Sequence, residues 1–295
     1  MSDYYHLTRR DFVRDSALGA LALGIGASAG PPVFAAAAGD GKSMVALVRD
    51  EKVQGDDNKV DSATLKKMLD EAIKTATGES NAAAGWKKLI KPDDVVGIVP
   101  TKANPTHEEL IQAVQAAVQE AGVAPDRIQN VQGKIDLVTK CTALISLPSL
   151  KTHALTGLGT VLKNYISFSG KASAYHGEKN VELGSIWQMP VVKGKTRIVI
   201  VDALRPLFDR GPKADPKYLW NYNGLLVGSD PVAVETMALT ILMAKRKAFK
   251  GEAWEITPPP MCVVAADKQY QLGTADPAKI ALKLSGWEKD ALISA

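Results

Sequence analysis

The chain has 295 residues, 46% hydrophobic and 23% charged, an ordinary globular composition with enough apolar side chains for a large core. Its 36 basic and 32 acidic side chains leave a formal charge of +4 with no long basic run, so there is no electrostatic footprint for nucleic acid. The two cysteines, Cys141 and Cys262, have no Cys-x-x-Cys spacing, which argues against an iron–sulfur cluster or zinc knuckle ligated by this chain.

The N-terminal segment reads as an address. Arg9-Arg10 precede Asp11-Phe12, an Ala/Leu/Gly-rich stretch runs from Ala17 to Gly30, Pro31-Pro32 break it, and the small residues Ala35 to Ala38 follow. A charged region, an apolar region and a small-residue cleavage site in that order make a signal peptide, and the paired arginines mark the twin-arginine route. A retained anchor is the alternative, although the apolar part is short and glycine-rich for a spanning helix. The expectation is a signal at 1–37 and a mature domain at 38–295, periplasmic or secreted. The twin-arginine translocase is then its partner in export, and the mature form has no transmembrane segment. Cargo of this route crosses folded, often with a cofactor already inserted. Export also permits a Cys141–Cys262 disulfide; two small buried thiols are the alternative.

Met44–Arg49 is β-rich and reads as a first strand. Asp61 is placed to cap a helix with Leu65, Met68, Leu69, Ala72 and Ile73 on one face, ended by Gly78. Trp86–Ile90 reads as a short helix, Asp94–Val99 as a buried strand, and Glu108–Glu120 as a helix with Leu110, Ile111, Val114, Ala117 and Val118 inward. Further on, the pattern predicts strands at Ala143–Leu147, Arg197–Val201, Leu225–Gly228 and Met261–Ala265. It predicts helices at Thr160–Ile166 and from Pro231 to about Lys245, the latter capped by Asp230 or Ser229. This alternation implies an α/β fold, a mainly parallel sheet with helices on both faces. Ligands in such sheets sit beyond the carboxyl ends of the strands, which draws attention to the loops Pro100–His107, Pro148–Gly159, Asp202–Pro216 and Ser229–Pro231.

Chemistry-bearing residues are densest between Leu147 and His176. Only four histidines occur in the chain, and His153 and His176 both lie here, with Lys151, Lys163 and Asn164. A neutral imidazole serves as proton shuttle or metal ligand. A lysine binds an anion or forms a covalent link. Lys102 and Asn104 stand in a strand-end loop where a cation and backbone amides can hold an anion. Asp202 closes a predicted strand and is either a turn residue or a site carboxylate, whereas His107 opens a helix and reads as structural. The five tryptophans are scattered and form no stacking platform. There is no Gly-x-Ser-x-Gly elbow, no P-loop and no Gly-x-Gly-x-x-Gly after a strand.

The ordered set Pro148-Ser149-Leu150-Lys151-Thr152-His153, Lys163-Asn164, His176, Asp202 and Gly228-Ser229-Asp230-Pro231-Val232-Ala233-Val234-Glu235 resembles the domain of unknown function 362 (DUF362) family over roughly 44–245. The upstream Pro100-Thr101-Lys102-Ala103-Asn104-Pro105 is similar to a loop of that family. Three features depart from it: Glu235 stands where the family has Asp, the Gly-rich segment after Asp202 is reduced to Arg210-Gly211-Pro212, and the ferredoxin-type cysteine motifs of some members are missing. A more distant likeness is to nickel-pincer lactate racemases, in which a catalytic His, a Gly-rich turn, a cofactor-holding Lys and a nickel-ligating His follow one another as His153, Gly157 to Gly159, Lys163 and His176 do here.

The resulting candidate set has His153, Lys163 and Asp202 as catalytic residues, Lys151, Lys163, Asn164, Lys102 and Asn104 as cofactor-binding residues, and His153 and His176 as ligands of a divalent metal. The expected activity is that of a cofactor- or metal-dependent enzyme acting on a small anionic substrate. The alternatives are a non-catalytic periplasmic module that binds an anion or metal, and an accessory subunit that docks on a redox partner protein.

Overall fold

In the computed structural model, residues 41–294 are described; the expected signal at 1–37 lies outside the described residues. The elements are β1 (Ser43–Arg49), α1 (Ser62–Thr77), α2 (Ala82–Leu89), β2 (Val96–Pro100), α3 (Glu108–Glu120), β3 (Ile128–Asn130), α4 (Ile135–Val138), β4 (Ala143–Leu147), β5 (Ser149–His153), β6 (Gly157–Leu158), α5 (Leu183–Trp187), β7 (Thr196–Leu207), β8 (Gly224–Gly228), α6 (Pro231–Lys250), α7 (Cys262–Lys268) and β9 (Ile280–Gly286). The nine-stranded sheet has the order β3-β2-β4-β7-β8-β1-β9, with β5 and β6 attached through β7 off this path.

The sheet is mainly parallel. β2 pairs in parallel with β3 and β4, β4 and β5 with β7, and β1 with β9. β8 runs antiparallel to both of its neighbours, β7 and β1. This reversal moves one predicted ligand loop. Gly228, the last residue of β8, lies opposite Val199 and Val45, so Ser229–Pro231 emerges at the rim opposite to the one where β4 and β7 end.

The two faces follow strand periodicity. Val45, Leu47, Val199, Val201 and Leu226 join one core with α6 and α7, while Ala46, Val48, Ile198, Ile200, Leu225 and Val227 join a second core with α1, α2 and α3. Helices therefore cover both faces, as the alternation implies. Asp61 caps α1 through Thr64 N–H, and Gly78 ends that helix in the left-handed conformation.

Four elements differ from expectation. Residues 261–265 form the start of α7 and not a strand, because a short apolar run has no decisive period and here it follows Pro258-Pro259-Pro260. The last strand is β9, whose parallel pairing with β1 supplies the order its weak alternation does not signal. Residues 160–166 form turns leading into a 3-10 segment at Ile166–Ser169, not a helix. Much of the expected loop Pro148–Gly159 is the pair β5 and β6, and β7 continues past Asp202 to Leu207, where it pairs with β5.

Asp230 caps α6 by accepting from Val232 and Ala233 N–H, both at 2.9 Å, while its other oxygen accepts from Ser43 Oγ and Thr274 N–H. It is 4% exposed, and burial raises its pKa. Asp230→Ala orphans four donors, so we expect a loss of about 2–3 kcal/mol in urea unfolding; a loss below ~0.5 kcal/mol would show that these bonds are replaced by water.

Candidate functional site

Pro148 ends β4 and the chain passes straight into β5 alongside the outer end of β7, with Ser149 opposite Asp202 and Lys151 opposite Leu207. Alternation along β5 then separates its side chains: Leu150 joins the core, while Lys151 is carried to a position 2% exposed. The Lys151 amine donates to Ser149 Oγ at 2.8 Å, and Ser149 Oγ in turn donates to the Asn104 carbonyl. Burial lowers the Lys151 pKa to about 7, against the opposing charges of Asp202 and Glu235.

His153 closes β5. Its Nδ1 accepts the Leu155 N–H at 3.1 Å, which assigns the ring proton to Nε2 in the neutral form. Burial, then the positive charges of Lys163 and Lys151 and the neighbouring His176, hold its pKa down at about 3, so this imidazole is neutral across physiological pH. The His153 and His176 rings lie 5.5 Å apart, centroid to centroid. His176 Nε2 is 3.0 Å from Lys163 Nζ. Burial lowers the Lys163 amine to about 8, and no carboxylate lies within ion-pair distance of it among the described residues. Burial and the Lys163 charge also lower the His176 pKa. The structure thus brings His153, Lys163 and His176 into one cluster.

Glu235, one turn into α6, positions that cluster. It is 1% exposed, and its two oxygens accept the N–H groups of Val161 at 2.7 Å and Leu162 at 3.3 Å. The carboxylate takes over backbone donors that a helix at 160–166 would leave unbonded at its first turn, and it holds the residues directly before Lys163. Burial raises its pKa to about 7. Sequence reasoning noted Glu235 only as a departure from a family pattern; a charged residue at an inward position of an otherwise apolar helix face was the available signal.

The other predicted residues fall elsewhere. Asp202 Oδ2 accepts both the backbone N–H and Nδ1 of His107 at 2.7 Å, at the start of α3, and its Oδ1 accepts Leu204 N–H. Burial disfavours charge on His107, but the hydrogen bond and charge of Asp202 outweigh it and raise its pKa. Asp202 reaches Lys151 only through its field. Asn164 is a clamp: its amide donates to Val99 O at 2.7 Å and Ser146 Oγ at 3.0 Å, tying the segment to the ends of β2 and β4. Asn104 meets Lys151 only through Ser149, by way of its backbone carbonyl. Lys102 is exposed and points toward Gly133. Cys141 and Cys262 are both buried and free, and burial raises both thiol pKa values. As a metal centre, His153 and His176 supply two imidazoles, and no group of three His, Cys, Asp or Glu that could hold an ion occurs among the described residues. A catalytic zinc site uses three protein ligands, so this donor set does not fit one.

A cavity of about 140 Å³ adjoins His153, lined by Thr152, Ala154, Gly157, Asp209, Arg210, Arg246, Ile256 and Thr257. A side chain at Gly157 would collide with the Pro258 carbonyl, so this glycine lets the 256–260 segment close against β6.

Glu235 supplies a pH test of the site. Its pKa in the fold, about 7, lies above the ordinary 4.5, so the folded protein holds this proton more tightly than the unfolded chain. The group's stabilising contribution is therefore complete below about pH 4.5 and is lost as the pH rises through about 7. Urea unfolding between those limits should show the wild type losing stability relative to Glu235→Gln; a difference that stays constant with pH would refute the raised pKa.

No curated protein and no solved structure matches the chain. Residues 125–240 match the family model described as "Domain of unknown function (DUF362)". That stretch runs from before β3 into α6 and carries Lys151, His153, Lys163, His176, Asp202 and Glu235, while His107, Arg246 and Cys262 lie outside it. The stretch that resembles this family thus contains the cluster at the end of β5 and strands β3 to β8, while β1, β2 and β9 of the same sheet lie outside it.

Proposed function

We propose that this is an exported DUF362-domain protein whose Lys163–His176–His153 cluster binds a small anionic ligand and moves a proton on it. The observation that carries this reading is the 3.0 Å contact between Lys163 Nζ and His176 Nε2, in a half-buried setting where the amine has no carboxylate partner. A lysine in an ordinary ion pair would have its charge satisfied; this one retains donors for a ligand. With a pKa of about 8 it is mostly protonated at neutral pH and close enough to neutrality to exchange its proton. His176 is the adjacent acceptor, and His153, neutral with its proton on Nε2, donates without adding charge. Export rests on the Arg9-Arg10 segment and its apolar continuation.

The charged amine is the binding form, so affinity for an anion should be highest below pH 8 and fall as pH rises past about 8. A bound anion shifts that fall upward. Ligand-induced shifts in thermal unfolding, measured with a panel of small anions from pH 6 to 10, should follow this course in the wild type. They should disappear in Lys163→Met, and in Lys163→Arg they should lose the fall near pH 8, because a guanidinium stays charged. Anion binding that is undiminished in Lys163→Met would sink the reading.

The same contact supports a second reading, taken from the likeness to nickel-pincer racemases: Lys163 would hold a cofactor and His176 a metal ion. Intact-mass measurement on protein exported by its own signal should then show an adduct that Lys163→Met lacks. A mass equal to that of the bare mature chain removes this second reading and leaves the first standing.

A further inference from the structure

The cavity beside His153 has a second wall that the Lys163 cluster does not account for. Thr152 and Ala154, the two neighbours of His153, both engage Gly211: Ala154 N–H donates to the Gly211 carbonyl at 2.8 Å, and Gly211 N–H donates to Thr152 Oγ1 at 3.4 Å. A side chain at residue 211 would collide with the Thr152 carbonyl, so the approach requires glycine. This holds Arg210, which lines the same cavity as His153, in a left-handed backbone conformation (φ 57°) that is strained for an arginine.

The charges lining the cavity are unequal in how far they are satisfied. Arg246 is saturated, donating to Asp209 Oδ1 at 2.6 Å and to the carbonyls of Phe208, Trp254 and Glu255. Asp209 is thereby occupied, and Arg210 gets from it only a 3.8 Å approach, with its own side chain 70% exposed. Arg210 also lies over the Tyr218 ring, 5.4 Å from its centroid, and its guanidinium and the His153 imidazole are both in the lining. The volume is about 140 Å³. It lies well below the ~300 Å³ at which ordinary ligand pockets begin.

We infer that Arg210 and His153 are parts of a receptor for a monocarboxylate smaller than an ordinary ligand, as the small cavity volume requires. This goes beyond the reading above: it shares His153 with the Lys163 cluster, but Lys163 does not line this cavity and the inference does not depend on it. The planar fork of a guanidinium matches a carboxylate with two parallel hydrogen bonds, and the two arginines and one aspartate of the lining leave one net positive charge to match one negative charge. A phosphate dianion would bring a second charge with no partner at this wall.

Isothermal titration of the mature chain with acetate, butyrate, benzoate and inorganic phosphate tests this. Acetate or butyrate should bind at least tenfold more tightly than benzoate and phosphate. Arg210→Gly, which suits the left-handed backbone, and Arg210→Gln should each weaken that binding at least tenfold. Carboxylate affinity unchanged in both Arg210 variants but lost in Lys163→Met overturns the inference and leaves the Lys163 reading intact. Carboxylate affinity lost in the Arg210 variants but kept in Lys163→Met does the reverse. Benzoate or phosphate binding as tightly as acetate, or no carboxylate binding to the wild type, overturns the inference.

Discussion

A single buried carboxylate ties the segment carrying Lys163 to the helix layer beneath it. Glu235 holds the amides of Val161 and Leu162, and through them sets where the next residue sends its amine. The 160–165 turn has no helix or ladder of its own to order it. Asn164 provides the second tie, fastening the same turn to the ends of β2 and β4. With one bond set on each side of Lys163, the lysine is presented by backbone that is fixed on both flanks, as a precise binding site requires.

The electrostatics of the site depend on burial more than on pairing. Lys151, Lys163 and His153 are all shifted toward their neutral forms by loss of water, while Asp202 and Glu235, the acids whose charges act on Lys151, are committed to His107 and to backbone amides. The result is two amines, Lys151 and Lys163, that titrate at about 7 and about 8 without carboxylates locking them into ion pairs, beside an imidazole that stays neutral. The amines exchange protons near physiological pH, and perturbed titrations of this kind concentrate at functional sites.

The fold was legible where periodicity is strong. Glu108–Glu120 and Ala143–Leu147 appear with the bounds their patterns predict, and Asp61, Gly78 and Asp230 cap or end helices as their chemistry requires. It was not legible at Met261–Ala265, where five small apolar residues suit either period, nor at Thr160–Ile166, whose structure is decided by a side chain more than seventy positions away. The cluster of His153, Lys163 and His176 could be read from local density and order. The Asp202–His107 pair could not, because it joins the end of one strand to the start of a helix 95 positions earlier. Arg210 was passed over because its importance comes from the saturation of Arg246, which only the packed structure displays.

Helix α6 has a mechanical role beyond covering the sheet. Near its start Glu235 grips the turn that bears Lys163, and near its end Arg246 grips Phe208 and Asp209, the residues leading to Arg210. The rise between these two grips is about 16 Å at 1.5 Å per residue. The two halves of the site are therefore registered by one rigid rod acting as a ruler. Inserting a single residue between the grips would twist one against the other by roughly 100°, so the number of residues between Glu235 and Arg246 sets how the two grips face each other.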